Sequence, residues 1–351
     1  MEIFPKTLGT RPRLAIELRA EGVVAARAED ASAVLTAVSK IALPEGVLAA
    51  GLKPGNIVDH ARIVAAVREA VEALSGRGGD RGRNVTIVVP DAAVRVLLLD
   101  FDELPGKAID ALPVIRFRLK KLLPFDADTA AMSYQVMSTE RNMVRVLAVA
   151  MPHEVRDEYE TVVTAAGFVA GAVLPSTLAS LGCLDEQEGP ALVVNADYGN
   201  VTTAIVRGGV VLLHRTLEMA AERGRVASAE DGSVLRELEY SRGYDRSGHD
   251  RTALVTQVLE SASEAAMDAR EIAQSVSVAT AYFEDTLAVS PEVVLSAGTL
   301  GAERITFILD ENGLAGLRVQ EMVAADAMVA GVSTTRVPRG WLAGVRGALR
   351  N

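Results

Sequence analysis

Two stretches of this chain repeat one plan, and that repeat constrains the fold more than any other feature. Residues 13–28 (RLAIELRAEGVVAARA) hold two short apolar runs around Arg19-Ala20-Glu21-Gly22, the pattern of a β-hairpin. The pattern returns later. Residues 191–195 (ALVVN) lead to a turn at Asp197-Tyr198-Gly199-Asn200, and Thr202 to Val206 runs back. A second turn at Gly208-Gly209 then gives the strand Val210 to His214, so this copy reads as a three-strand meander. Each first turn carries an acidic residue and a glycine, and each hairpin is followed by helices and a later strand. Two copies of one plan need two core-bearing units, and 351 residues are enough for both.

The intervening segments alternate between strand and helix signals. In 59–74 (DHARIVAAVREAVEAL), Ile63, Val67, Ala70, Val71 and Leu74 fall on one stripe at helical spacing, with Asp59 as N-cap. The glycine-rich stretch 75–83 reads as a loop, and Asn84 to Pro90 (NVTIVVP) as a buried strand. Strands are expected at 94–100 and 143–150, with a basic helix around 114–123 between them. Residues 154–166 give an amphipathic helix ended by Gly167. In the second half, 252–287 is helical in pattern, 292–296 (EVVLS) is a strand, and 302–309 resumes a helix. The charged stretch 220–251 reads as an exposed connection with a short helix at 233–240. Strands alternating with helices indicate α/β architecture.

Composition removes several functions. With 49% hydrophobic and 23% charged residues the chain is globular, which excludes disorder and collagen-like fibres. Its formal charge of −10 opposes a phosphate backbone, so general nucleic-acid binding is disfavoured. The single Cys183 excludes an internal disulfide and any Cys-based zinc site, and a lone buried thiol fits a reducing cytosol. No run approaches the roughly 18 apolar residues of a membrane span, so a soluble, cytoplasmic chain is expected. The four histidines lack ligand spacing, and neither GxSxG nor GxxxxGK[ST] occurs.

The remaining candidates for chemistry are the turns. Backbone N–H groups of a glycine-containing hairpin turn can wrap a phosphate while a nearby Asp holds magnesium through water. Asp197, Gly199, Asn200, Thr202 and Thr203 offer that mix, although an ordinary hairpin turn needs similar residues. The small-residue loop Ala297-Gly298-Thr299-Leu300-Gly301 could admit an adenosine beside a helix N-terminus, or serve only for packing. Arg116, Arg118, Lys120 and Lys121 lie beside Phe117, Leu122 and Phe125, which reads either as a solvated helix face or as a docking surface for a partner peptide.

Taken together these residues resemble the type IV pilus assembly protein PilM family, relatives of the cell-division protein FtsA in the actin-like superfamily. The resemblance rests on Leu104-Pro105, the helix leading to Leu123-Pro124-Phe125, Tyr134-Gln135-Val136, Val146 to Ala150 followed by Pro152, and Ala165-Ala166-Gly167-Phe168. It continues through Ala191 to Arg215, Asp268 to Phe283, Leu295 to Gly301 and the closing segment 341–349 (WLAGVRGAL). It implies a bilobed actin-like fold of α/β class with an inserted α/β subdomain. Residues 1–93 begin the first lobe, 94–171 form the inserted subdomain, and 172–190 return to the first lobe. Residues 191–330 form the second lobe, with 220–251 inserted, and 331–351 close on the first.

The resemblance also implies a cytoplasmic protein at the inner-membrane face that binds the tail of a PilN-type membrane protein. Arg116, Phe117, Lys120 and Phe125 are the expected partner surface. Glu17, Asp197, Gly199, Asn200, Thr202, Ala297, Gly298, Thr299 and Gly301 are the expected nucleotide-site residues, with Asp197 the metal ligand for ATP and magnesium. Departures from the family pattern weaken that site. Glu17-Leu18-Arg19 stands where the family reads Asp-Ile-Gly, Leu174-Pro175 where it has an acidic pair, and Ala297 where it has a glycine. A scaffold with weak or lost ATP binding is therefore expected, against the alternative of an active ATPase or sugar kinase of the same superfold.

Overall fold

A computed structural model describes residues 12–29, 32–74, 82–140, 142–185, 189–197, 199–219, 249–328 and 337–350, with the backbone alone for 249–267. The loop at 75–81, the charged segment at 220–248 and Tyr198 lie outside the described residues.

The first hairpin forms at the expected place. Strands β1 (Leu14–Arg19) and β2 (Gly22–Ala28) pair antiparallel from Leu14 opposite Arg27 to Arg19 opposite Gly22. Gly22 is required there, because a Cβ would stand 2.7 Å from the carbonyl oxygen of Ile41. That oxygen belongs to β3 (Leu35–Ala42), which pairs antiparallel with β2. On the other side β4 (Asn84–Val89) runs parallel to β1. All six residues of β1 are buried, as in a strand covered on both faces.

A separate three-stranded antiparallel sheet arises between β4 and the last strand of the first sheet. Its members are β5 (Arg95–Phe101), β6 (Ala130–Glu140) and β7 (Met143–Pro152), in the order β5-β7-β6. The chain then returns through β8 (Val169–Pro175), parallel to β4, so the first sheet reads β3-β2-β1-β4-β8.

The second half repeats this topology strand for strand. Strands β9 (Ala191–Ala196), β10 (Asn200–Arg207) and β11 (Val210–Glu218) form the antiparallel meander. Strands β12 (Val294–Ala297) and β13 (Val319–Glu321) add in parallel, giving β11-β10-β9-β12-β13. The expected duplication is therefore present as two five-stranded sheets of one order.

Helices cover the sheets with the faces their periodicity implies. In α1 (His60–Ala73), Asp59 accepts from the Arg62 N–H at 3.0 Å, and Ile63, Val67, Ala70 and Val71 are buried. The same core takes Val155, Tyr159, Val162 and Val163 of α3 (His153–Ala165), which ends at Gly167 with φ 99°. The basic helix is displaced from its expected span: α2 runs over Ala108–Leu119 and contains Pro113, a residue that ordinarily marks a helix boundary. A short α4 (Ser176–Leu181) follows β8. On the second sheet, α5 (His249–Leu287) and α6 (Gly301–Glu311) pack Ile272, Val276, Phe283, Ile305 and Ile308 against β9 and β10. A 3-10 turn at Arg339–Leu342 and α7 (Ala343–Leu349) close the chain.

The two halves are packed on each other. One continuous apolar cluster joins Ala15, Val24 and Val88 of the first sheet to Val193, Ala204 and Ala297 of the second, with Leu178, Trp341 and Leu342 between them.

Candidate functional site

The β1 and β9 strands end facing one another at the junction of the halves, and each brings charged side chains to that point. Glu17 and Arg19 lie on one face of β1, two residues apart, and both are sealed from solvent, at 0% and 1% exposure. Asp197, directly after β9, is also buried. Arg19 joins them. Its Nη2 lies 2.6 Å from Glu17 Oε1, and its Nη1 donates to Asp197 Oδ1.

Hydroxyls and an amide complete the cluster. Arg19 Nη2 donates to Ser176 Oγ at 2.9 Å, and Ser176 Oγ donates in turn to Glu17 Oε1 at 2.7 Å. Asn195 Nδ2 donates to Ser176 Oγ at 3.0 Å and to Thr177 Oγ1 at 2.9 Å. The Thr177 N–H reaches Asp91 Oδ1 at 3.0 Å. Asp197 Oδ1 also accepts the Thr299 N–H at 3.0 Å, and Thr299 Oγ1 donates to Glu21 Oε1 at 3.1 Å. A buried charge survives only when paired and hydrogen-bonded, and Arg19 meets both conditions.

The electrostatics follow from burial. Desolvation opposes the Arg19 charge, but Asp197 and Glu17 overcome it and hold the guanidinium more firmly protonated than in water. Burial pushes the Asp197 carboxyl up to about 7, against the pull of Arg19. Glu17 is raised by burial too, with Arg19 and Ser176 pulling the other way.

Each nucleotide-site residue read from the sequence finds a partner or a neighbour within the chain. Thr202, fully buried, meets Thr216 Oγ1 at 3.0 Å. The Gly199 carbonyl accepts the Met219 N–H at 3.0 Å, and the Asn200 carbonyl accepts the Asp197 N–H at 3.0 Å. Ala297 is buried, and the Gly298 N–H donates to the Gly340 carbonyl at 3.0 Å. Gly298 has φ 94° and packs so tightly on Ala196 that a Cβ would strike the Ala196 carbonyl oxygen. At Gly301, where α6 begins, the following N–H of Ala302 donates to Glu321 Oε1 at 2.9 Å. A carboxylate of this chain thus already sits at the helix end where an external anion would bind.

ATP and magnesium, which the fold implies, do not fit these residues as they stand. Glu17 Oε1 and Asp197 Oδ1 are both engaged by the Arg19 guanidinium, which stands where a metal would lie between the two acids, and the 297–301 loop is tied to the 339–342 turn by the Gly298 N–H on the Gly340 carbonyl. Among the described residues no group of three or more His, Cys, Asp or Glu side chains is arranged to hold a metal ion.

The partner-surface residues separate into two kinds. Arg116 turns inward: its Nη1 donates to the carbonyls of Ala127, Asp128 and Ala130, pinning α2 to the loop before β6. Lys120 is exposed and paired with Asp128 at 2.6 Å, while Phe125 is half-buried. Phe117 projects outward with 69% exposure, and Ile109 and Leu122 are exposed as well. Next to it Leu98, Leu99, Asp100, Arg118, Lys121 and Leu122 line a groove of about 390 Å³.

Sequence reasoning named Glu17 and Asp197 but missed Asp91, Ser176, Thr177 and Asn195. The signal available was Ser176-Thr177, a hydroxyl pair directly after the Leu174-Pro175 that replaces the expected acids.

Duplicated sheets of this order, meeting at their hairpin ends, define an actin-like α/β protein. No protein-family model matches the chain, and no curated protein sequence matches it. Among solved structures, a chain of the PilM-PilN type IV pilus biogenesis complex aligns with TM-score 0.67 and 19% identity, over 97% of this chain and 99% of that one. The fold is thus the PilM-like, actin-like one. Ethanolamine utilization protein EutJ from Carboxydothermus hydrogenoformans aligns with TM-score 0.45 and 15% identity, over 97% and 89% of the two chains. The cytoplasmic domain of EpsL, from the type II secretion system of Vibrio cholerae, gives 0.38 and 12% over 58% and 70%.

Proposed function

We propose that this protein is a PilM-like scaffold of a type IV pilus or related secretion machine, which docks the cytoplasmic tail of a PilN-type membrane protein and does not turn over ATP. The observation that carries this reading is Arg19, buried between Glu17 and Asp197 in a fold similar to that of a chain of the PilM-PilN complex. Hydrolysis needs a metal held by those acids and a group that orients water. Here the acids are paired, and Leu174-Pro175 supplies no carboxylate. We divide the chain as the sequence suggested, with the β5-β7-β6 sheet as the inserted subdomain. The protein would sit at the inner membrane through its partner, and among the described residues no helix is long and apolar enough to cross a membrane.

The docking surface on this reading is the outer face of α2 and the neighbouring groove. Ile109, Phe117 and Leu122 supply exposed apolar area, and Arg118 and Lys121 supply charge that suits acidic side chains on a short tail. Phe117→Glu with Lys121→Glu should weaken binding of a PilN-type tail peptide about tenfold or more in a calorimetric titration. Melting temperature should hardly change. Arg116→Glu should instead lower the melting temperature, because Arg116 satisfies carbonyls of its own chain. Unchanged peptide affinity in the double variant removes this surface from the interface. Steady phosphate release from ATP, abolished by Asp197→Ala, would sink the scaffold reading and favour the ATPase alternative.

A further inference from the structure

We propose that Arg19 is the resident cation of this fold, standing between the carboxylates of the two halves where a bound divalent ion would otherwise be needed to hold them together. This goes beyond the loss of catalysis, and it does not depend on which partner the scaffold docks.

Glu17 lies on β1 of the first sheet and Asp197 directly follows β9 of the second, so a group that binds both also ties the halves. The Arg19 guanidinium offers Nη2 to one carboxylate and Nη1 to the other. A planar fork with fixed donors suits that task, and a guanidinium does not lose its proton at any ordinary pH. A divalent ion would neutralise the same two acids by direct oxygen contacts, but it exchanges with solvent. Arg19 is covalently part of β1, so its occupancy cannot depend on ion or nucleotide concentration.

The surroundings are built to the same end. Gly344 of α7 approaches Glu17 so closely that a Cβ would stand 2.5 Å from Oε2, which walls off that side of the carboxylate. Two further bonds, Thr299 Oγ1 to Glu21 and Gly298 N–H to the Gly340 carbonyl, join the 297–301 loop to the first hairpin and to the closing segment. Removing Arg19 should therefore leave two buried carboxylates, from opposite halves, that demand a cation.

The experiment uses the full chain and manganese as the probe, with binding followed by calorimetry and melting followed with and without millimolar Mn²⁺. The native protein should show neither Mn²⁺ binding at this site nor a melting shift, and magnesium with ATP should leave its small-angle scattering profile unchanged. Arg19→Gln should melt lower, bind Mn²⁺ at least about tenfold more tightly than the native chain, and recover part of its melting temperature when Mn²⁺ is added. Arg19→Gln combined with Asp197→Asn should lose that response. If Arg19→Gln does not fold without metal, its folding on addition of Mn²⁺ supports the proposal. Failure to fold even with Mn²⁺ moves the test to Arg19→Lys, whose single ammonium cannot serve both carboxylates and should leave a weaker Mn²⁺ response. Native Mn²⁺ affinity equal to that of the folded Arg19 variants, absence of any Mn²⁺ response in them, or a nucleotide-dependent change in native scattering would each overturn it.

Discussion

Arg19 shows how one side chain changes what a fold can do. On β1 it is two residues from Glu17, so strand geometry alone puts both on one face; only the approach of β9 adds Asp197. The cost of sealing these charges is visible in Asp197, whose carboxyl burial raises to about 7. The native state therefore binds a proton more tightly than the unfolded chain, whose Asp titrates near about 4. Stability from this group is highest at low pH and falls as pH rises from about 4 towards about 7. Asp197→Asn does not titrate, so its melting temperature relative to the native protein should climb across that window. Melting curves at several pH values check this. A relative stability that falls with rising pH would mean that the ion pair holds Asp197 ionised and that burial is the smaller effect.

At the level of elements, α4 and α7 pack at backbone contact. The two short helices meet through glycine and alanine: a Cβ on Gly347 would collide with the Ala179 carbonyl oxygen, and one on Gly182 would stand 2.7 Å from the Gly347 carbonyl oxygen. This approach positions α4, whose first two residues are Ser176 and Thr177 of the interlobe cluster. Gly347→Ala must push the helices apart and should cost about 1–3 kcal/mol, the usual range for overpacking, readable from urea denaturation. A neutral result would show that α7 can slide without strain. Legibility varied among elements for a related reason. The first hairpin, α1 and α3 have strong local periodicity and were readable to within a residue or two. Strand β8 (VAGAVLP) has small side chains and a proline, and β13 has three residues, so neither leaves a pattern; pairing with β4 and β12 makes them strands.

For the whole molecule, the decisive feature is that the apolar cluster between the sheets belongs to both halves. Neither half can expose its side of that cluster without stripping the other. Cooperative unfolding follows. The single tryptophan, Trp341, is 4% exposed within this cluster and reports on the junction alone, whereas far-ultraviolet circular dichroism reports on the whole chain. The two signals should give the same midpoint in urea. An earlier tryptophan transition would show that the halves part before either unfolds.

Local sequence settled what depends on neighbours a few residues apart. The two hairpins with their acidic turns, the faces of the amphipathic helices and the α/β alternation were all set by periodicity and turn chemistry. The duplication was legible because each copy carries the same signals. Tertiary structure alone decided what the acids do. Asp91, Ser176, Asn195 and Thr299 are brought to Arg19 and Asp197 from four separate parts of the chain, and Glu321 reaches the start of α6 from β13. Sequence can show that Arg19 is out of pattern, but not whether it points to water or inward. That choice rests on desolvation, which is overcome only where Glu17 and Ser176 of the first half and Asp197 of the second meet a guanidinium sealed from solvent.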